Sequence, residues 1–303
     1  MAIILGENRY GKAENRIFRV TRHGDTHDVL DLNVSVQLSG HFADTHLTGD
    51  NRNVLPTDTQ KNTVFALAHM HGATEPESFA LTVARHFLTN HAFVSKVEVR
   101  VEKFDWERII CKGTPHPHAF RRNGSVTRTA TALACRTATG AREFVVSGLE
   151  DLVVLKTTGS EFKGYPRDQF TSLPETSDRI MATQISARWR TAATDAATLN
   201  ATNWSKQYTD ALNAMLTVFA AQHSLSLQHT LFAMGERVLS ELPAAAAIRL
   251  SLPNKHHFAV DLSPFGLDNR NEVFIAADRP YGLIEAVIER DNATPVTDTW
   301  PTW

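Results

Sequence analysis

LVVLKTTGSEFKGYPRDQFTSLPETSDR, residues 152–179, is the most telling stretch of this chain. It opens as a short apolar strand pattern over 152–155 and then breaks into Lys156-Thr157-Thr158-Gly159-Ser160. A lone aromatic, Phe162, follows, and after a polar loop an arginine stands at Arg179. One segment thus carries an aromatic face and a guanidinium fork. That pairing suits a flat, anionic, nitrogen-rich ligand, because the ring stacks while the fork binds two acceptors in one plane.

Outward from this stretch the chain alternates between two periods. Residues 17–21 alternate, His23-Gly24-Asp25 reads as a turn, and Leu30, Leu32, Val34, Val36 and Leu38 repeat with period two. Such a pattern predicts an antiparallel hairpin with one buried face. A helix is expected over 76–90, with Thr74 and Glu77 as a capping box, Pro76 in its first turn and a stripe of Phe79, Val83 and Phe87. Val97, Val99 and Val101 alternate again, and residues 126–135 can pair with 143–147 across Thr139-Gly140. After a boundary near 148–151 the same order returns. Strands are expected at 152–156 and 185–190, helices at 204–223 and 230–242, and strands at 248–252, 257–262, 273–277 and 283–290. A hairpin, helix, strands unit that appears twice predicts two tandem copies of one α+β domain, residues 1–148 and 149–303.

Composition bounds the function. The chain has 303 residues, 42% hydrophobic and 21% charged, which describes an ordinary globular protein. A net charge of -2 gives no footprint for nucleic acid or for an anionic membrane, so an anionic ligand must be captured by local basic groups. Apolar runs stop well short of a membrane span, and the N-terminus lacks the pattern of a signal peptide. The last residues, Trp300-Pro301-Thr302-Trp303, are not a peroxisomal address. Cys111 and Cys135 are the only cysteines and form no CxxC pair, which suits a cytoplasmic location.

The K-[ST]-[ST]-x-S-x-F-x-x-[FY] pattern at 156–165, with Phe170, Leu173 and Arg179 at their spacings, resembles the signature of the urate oxidase (uricase) family. Further blocks look like that family in the same order. They are Arg9-Tyr10-Gly11-Lys12, Pro56-Thr57-Asp58-Thr59-Gln60-Lys61-Asn62-Thr63, Leu252-Pro253-Asn254-Lys255-His256-His257-Phe258 and Ala277-Asp278-Arg279-Pro280-Tyr281-Gly282. The resemblance implies two tunnelling-fold (T-fold) domains whose antiparallel sheets join those of other subunits into a barrel with helices outside. It also implies a homotetramer that oxidises urate with dioxygen, without a cofactor or metal, to 5-hydroxyisourate and hydrogen peroxide. The absent peroxisomal address leans towards the bacterial type.

A site for urate needs a stacking face, a bidentate cation, an amide along an imide edge and a group that moves protons. By the resemblance Phe162 stacks, Arg179 clamps, and Gln228 with the backbone N–H of Leu227 serves the same edge, just before a helix pattern. Asn254 holds dioxygen or water above the ring. Lys12, Thr57 and His256 form the proton relay, since a lysine at its ordinary pKa of about 10.4 needs desolvation or a linking hydroxyl to act as a base. Thr57 and Asp58 are expected on a loop reaching in from a neighbouring subunit. Pairs such as His69 with His71 and His116 with His118 hint at metal ligands, but no third cluster completes a site. No glycine-rich phosphate motif supports a nucleotide cofactor. Two other functions remain open at this point: a zinc-dependent T-fold enzyme acting on a pterin, and a purine-binding protein without turnover.

Overall fold

The computed structural model describes residues 2–293, so residues 300–303 at the C-terminus lie outside the described residues. Two compact units are present. The first comprises the chain up to residue 148 together with 189–206; the second comprises 149–188 and 207–293.

In the first unit β1 (Tyr10–His23) and β2 (Thr26–Gly40) form the long hairpin that the alternation predicts. The helices α1 (Ala43–Leu47), α2 (Thr57–His71) and α3 (Pro76–Asn90) follow, then β3 (Val94–Cys111), β4 (Thr114–Thr137) and the start of β5 (Gly140–Lys156). β1, β2, β3 and β4 pair antiparallel in that order, with β5 beside β4. Register sets the core: Val34 faces Val101, Val36 faces Val99, and Leu38 faces Val97, which in turn faces Ala134. All of these are buried, and they share one face because side chains alternate along a strand. Phe79, Val83 and Phe87 of α3 and Val64 and Leu67 of α2 pack over that face. α3 also packs against β4, where Ala130, Ala132 and Ala134 are buried.

The structure corrects the sequence reading at three places here. Thr57 and Asp58 open a 15-residue helix instead of lying on a loop. The capping box at α3 does not form: Glu75 is the N-cap and makes no side-chain cap bond. Glu77 is instead fully buried, where Arg128 donates to it at 2.7 Å and to Glu75 at 2.8 Å. Burial pushes the Glu77 carboxyl up, against the pull of Arg128. The segment holding His116 and His118, read as a loop, is the start of β4.

The second unit takes the rest of β5, then β6 (Met181–Thr191) as far as Arg188. Beyond it α4 (Ala196–Ala201) and the first residues of α5 (Trp204–Ala221) count with the first unit. The remainder of α5, α6 (Leu227–Glu241), β7 (Ala245–Ala259) and β8 (Phe274–Glu289) complete the second. β7 and β8 are single strands where the alternation suggested four short ones. They pair antiparallel from Ala247 opposite Glu289 to Ala259 opposite Phe274. Ile248, Leu250 and Leu252 are buried beneath Leu231, Met234 and Val238 of α6. The register breaks between Asn254, opposite Gly282, and His256, opposite Ala277. Such a bulge bends the strand and re-aims its side chains, and it falls on the motif. Among the described residues no helix is long and apolar enough to cross a membrane.

Candidate active site

Where β5 ends, the Lys156 ammonium donates to the Gln222 carbonyl at 2.7 Å and lies over the Phe219 ring, so it anchors the strand end. Burial lowers its pKa. Gly159 follows at φ +74, a backbone shape that glycine adopts without strain. The chain then runs beside Ser224: Ser224 N–H donates to the Gly159 carbonyl at 2.9 Å and Glu161 N–H to the Ser224 carbonyl at 2.8 Å. Phe162 is next, and its backbone exchanges two hydrogen bonds with Thr176, at 2.9 and 3.1 Å.

The Phe162 ring is half-buried. Tyr165 lies parallel to it at 4.8 Å, pinned by its own hydroxyl bond to the Leu173 carbonyl at 2.7 Å. The Arg179 guanidinium sits over the same ring, 5.3 Å from its centre. Arg179 Nε is buried without a hydrogen-bond partner, and no carboxylate among the described residues pairs with the fork. Partial burial lowers its pKa, a desolvation cost that a ligand's acceptors can offset.

Phe162 and Arg179 line a cleft of about 660 Å³ together with Asn254, His256, His257 and Phe258. The last four lie on β7 on either side of its bulge. His256 stacks on Phe258 with ring centres 5.7 Å apart. Burial, then the charges of Arg179 and His257, hold the His256 imidazole below its ordinary value. A neutral ring at neutral pH can accept a proton. Leu227 and Gln228 are not among the residues lining this cleft. They form the first turn of α6, where Leu227 is buried and Gln228 exposed, not a loop before it. The two Ser224 bonds tie the approach to α6 to the segment entering Phe162.

Lys12, Thr57 and Asp58 stand in the first unit. A side chain on Gly11 would collide with the Val36 carbonyl, so only glycine lets β1 pass β2 this closely beside Lys12. Tyr10 donates to the Leu55 carbonyl at 3.1 Å and so ties the strand carrying Lys12 to the start of α2. Asp58 accepts from Lys61 and from Asn62; the Lys61 bond does most to hold its carboxyl low, and the Lys12 charge adds to it. Tyr165, Asp178 and His257 carry no role in the sequence reading. The aromatic position of the motif marked Tyr165, whereas only the folded turn reveals Asp178. Among the described residues no three His, Cys, Asp or Glu side chains converge on a point able to hold a metal ion.

The chain is an antiparallel α+β protein whose cleft sets a guanidinium over an aromatic ring beside an asparagine and a histidine. The family model described as Uricase matches residues 8–132 and 145–285. The chain is 46% identical to the uricase of Arthrobacter globiformis, over 98% of this chain and 94% of that protein. It is 37% identical to the uricase of Dictyostelium discoideum, over 97% and 99% respectively. The crystal structure of the Arthrobacter globiformis uricase superposes with a TM-score of 0.91 over 99% of both chains at 46% identity. A Bacillus sp. TB-90 urate oxidase, 21% identical, shares the fold at a TM-score of 0.80 over 93% of this chain and 100% of that one. The chain belongs to the uricase family. The α+β T-fold architecture expected from the sequence is the one observed.

Proposed function

We propose that this protein oxidises urate with dioxygen and water to 5-hydroxyisourate and hydrogen peroxide, without a cofactor. The observation that carries the reading is Arg179, a half-buried fork without a partner above the Phe162 ring. Urate is flat and anionic, and it offers adjacent carbonyl and nitrogen acceptors to such a fork. Gln228 is exposed on the first turn of α6, where the Leu227 N–H has no intrahelical acceptor, so both suit donation to the same edge. Asn254 holds dioxygen, or a water, above the ring.

In this reading urate gives up two electrons, dioxygen takes them with two protons to become peroxide, and water adds at C5. Lys12, Thr57 and His256 move the protons, with His256 neutral at working pH. Lys12, Thr57 and Asp58 belong to a different compact unit from Phe162 and Arg179. As the resemblance to the family implies, Thr57 and Asp58 come from a neighbouring subunit, so activity requires at least a dimer, with a homotetramer as the full assembly. The joined sheets would form a barrel with helices outside. A cytoplasmic setting suits the absence of a disulfide between Cys111 and Cys135.

The test is loss of urate's ultraviolet absorbance with stoichiometric peroxide, using purified and chelator-treated protein. Activity that vanishes on chelation and returns with zinc would favour a metal-dependent enzyme. Binding without peroxide release would make the chain a purine-binding protein.

A further inference from the structure

We propose that Asp178 is the positioning residue of the cleft. Its carboxylate ties the turn entering Phe162 to the backbone that carries Arg179, and so sets the ring and the guanidinium at their working separation. One carboxylate oxygen accepts from the Thr158 hydroxyl at 2.8 Å and the other from the Gly159 N–H at 2.9 Å. The backbone amides of Ser160 and Arg179 add to the pull that keeps this carboxylate ionised. The main-chain carbonyl of Asp178 accepts from the Thr176 hydroxyl at 2.6 Å, and Thr176 is the residue paired with Phe162. Phe162, Thr176, Asp178 and the 158–160 turn therefore form one closed loop of hydrogen bonds, with Arg179 adjoining it.

The chemistry at this position calls for a carboxylate. Several donors converge, and only an ionised carboxyl offers acceptor sites on both oxygens with no donor of its own. An asparagine of the same shape would turn an NH2 group towards one of them. The donors, Thr158 foremost, hold the Asp178 carboxyl below its ordinary range. The arrangement also explains why an aspartate next to Arg179 in sequence does not neutralise it. Its oxygens are taken by the turn, so the fork stays open to a ligand.

This inference rests on the urate reading for the identity of the ligand, and its test separates the two. Asp178→Asn, Asp178→Ala and Thr158→Val are compared with wild type by anaerobic equilibrium binding of urate, by turnover and by melting temperature. The expected result is a roughly ten- to hundredfold weaker affinity for both Asp178 variants, within the range of couplings inside one hydrogen-bonded network, with a smaller loss for Thr158→Val. In a Phe162→Ala background Asp178→Ala should cost several-fold less, because the ring that the guanidinium is set against is gone. Equal losses in the two backgrounds, or unchanged affinity in Asp178→Asn, overturn the proposal. Failure of the wild type to bind urate sinks the urate reading alone. A crystal structure of Asp178→Asn then decides the positioning role: a ring and guanidinium still 5.3 Å apart overturn it, whatever the ligand. Thr158→Val leaves the carboxylate in place, so it keeps the idea testable if the Asp178 variants do not fold.

Discussion

The guanidinium carbon of Arg179 lies 5.3 Å from the centre of the Phe162 ring, while its Nε is buried with no hydrogen-bond partner. A half-buried cation beside an aromatic face, with no acceptor of its own, is arranged for a ligand that brings the acceptors.

Replacing the fork by a point charge tests that arrangement. Arg179→Lys keeps the sign but loses two parallel donors, so roughly 2 kcal/mol of urate affinity should disappear, on the scale of charge-assisted hydrogen bonds. Titration calorimetry reads the difference, and unchanged affinity would remove Arg179 from the site.

The proton relay makes a kinetic prediction. Lys12→Met is expected to leave urate binding nearly intact and to cut turnover by about two to four orders of magnitude. His256→Ala should slow the same step, and the double variant should lose less than the product of the two because linked groups are not additive. Full turnover in Lys12→Met at neutral pH counts against the relay.

The pH profile follows from His256. Burial, Arg179 and His257 all disfavour its charged form, so the ring remains neutral down to a pH below its ordinary value near 6.5. The acid limb of kcat/KM should accordingly lie below that pH. His257→Asn removes one repelling neighbour, which raises the His256 pKa and moves the limb to higher pH. A limb that stays put, or shifts downward, rejects His256 as the group titrating on that side.

Subunit exchange tests the shared site. Thr57→Ala chains and Arg179→Ala chains are each defective alone. Refolded together as random pairs, about half of the dimers are mixed and each holds one intact site, so about a quarter of all sites should work. No recovery after verified exchange places the whole pocket in one chain.

Stability rests on a different set of residues. Phe87 is fully buried under the sheet of the first unit, and Phe87→Ala should cost about 3–5 kcal/mol of unfolding free energy. Denaturant melts measure this, and a loss below about 1 kcal/mol would mean that the core refills the hole.

How much of this the sequence shows depends on where the physics is local. Alternation of Leu32, Val34, Val36 and Leu38 revealed β2 and its buried face, because strand geometry alone forces side chains to opposite sides. The helix over 76–90 was legible from its apolar stripe and Pro76. By contrast α2 was not, because Phe65 and Met70 face outward and Gln60 is buried, which blurs the stripe. The order of the motifs was enough to identify the family, since each motif is a short run of letters. Tertiary structure alone decided that Glu77 pairs with Arg128 instead of closing a capping box, since burial outweighs a local cap. It alone brought Phe162 and Arg179 within 5.3 Å across the loop between them. It alone turned Asp178 away from its sequence neighbour and towards Thr158 and Gly159. A hydrogen bond depends on where the donors end up in space, which spacing along the chain does not record.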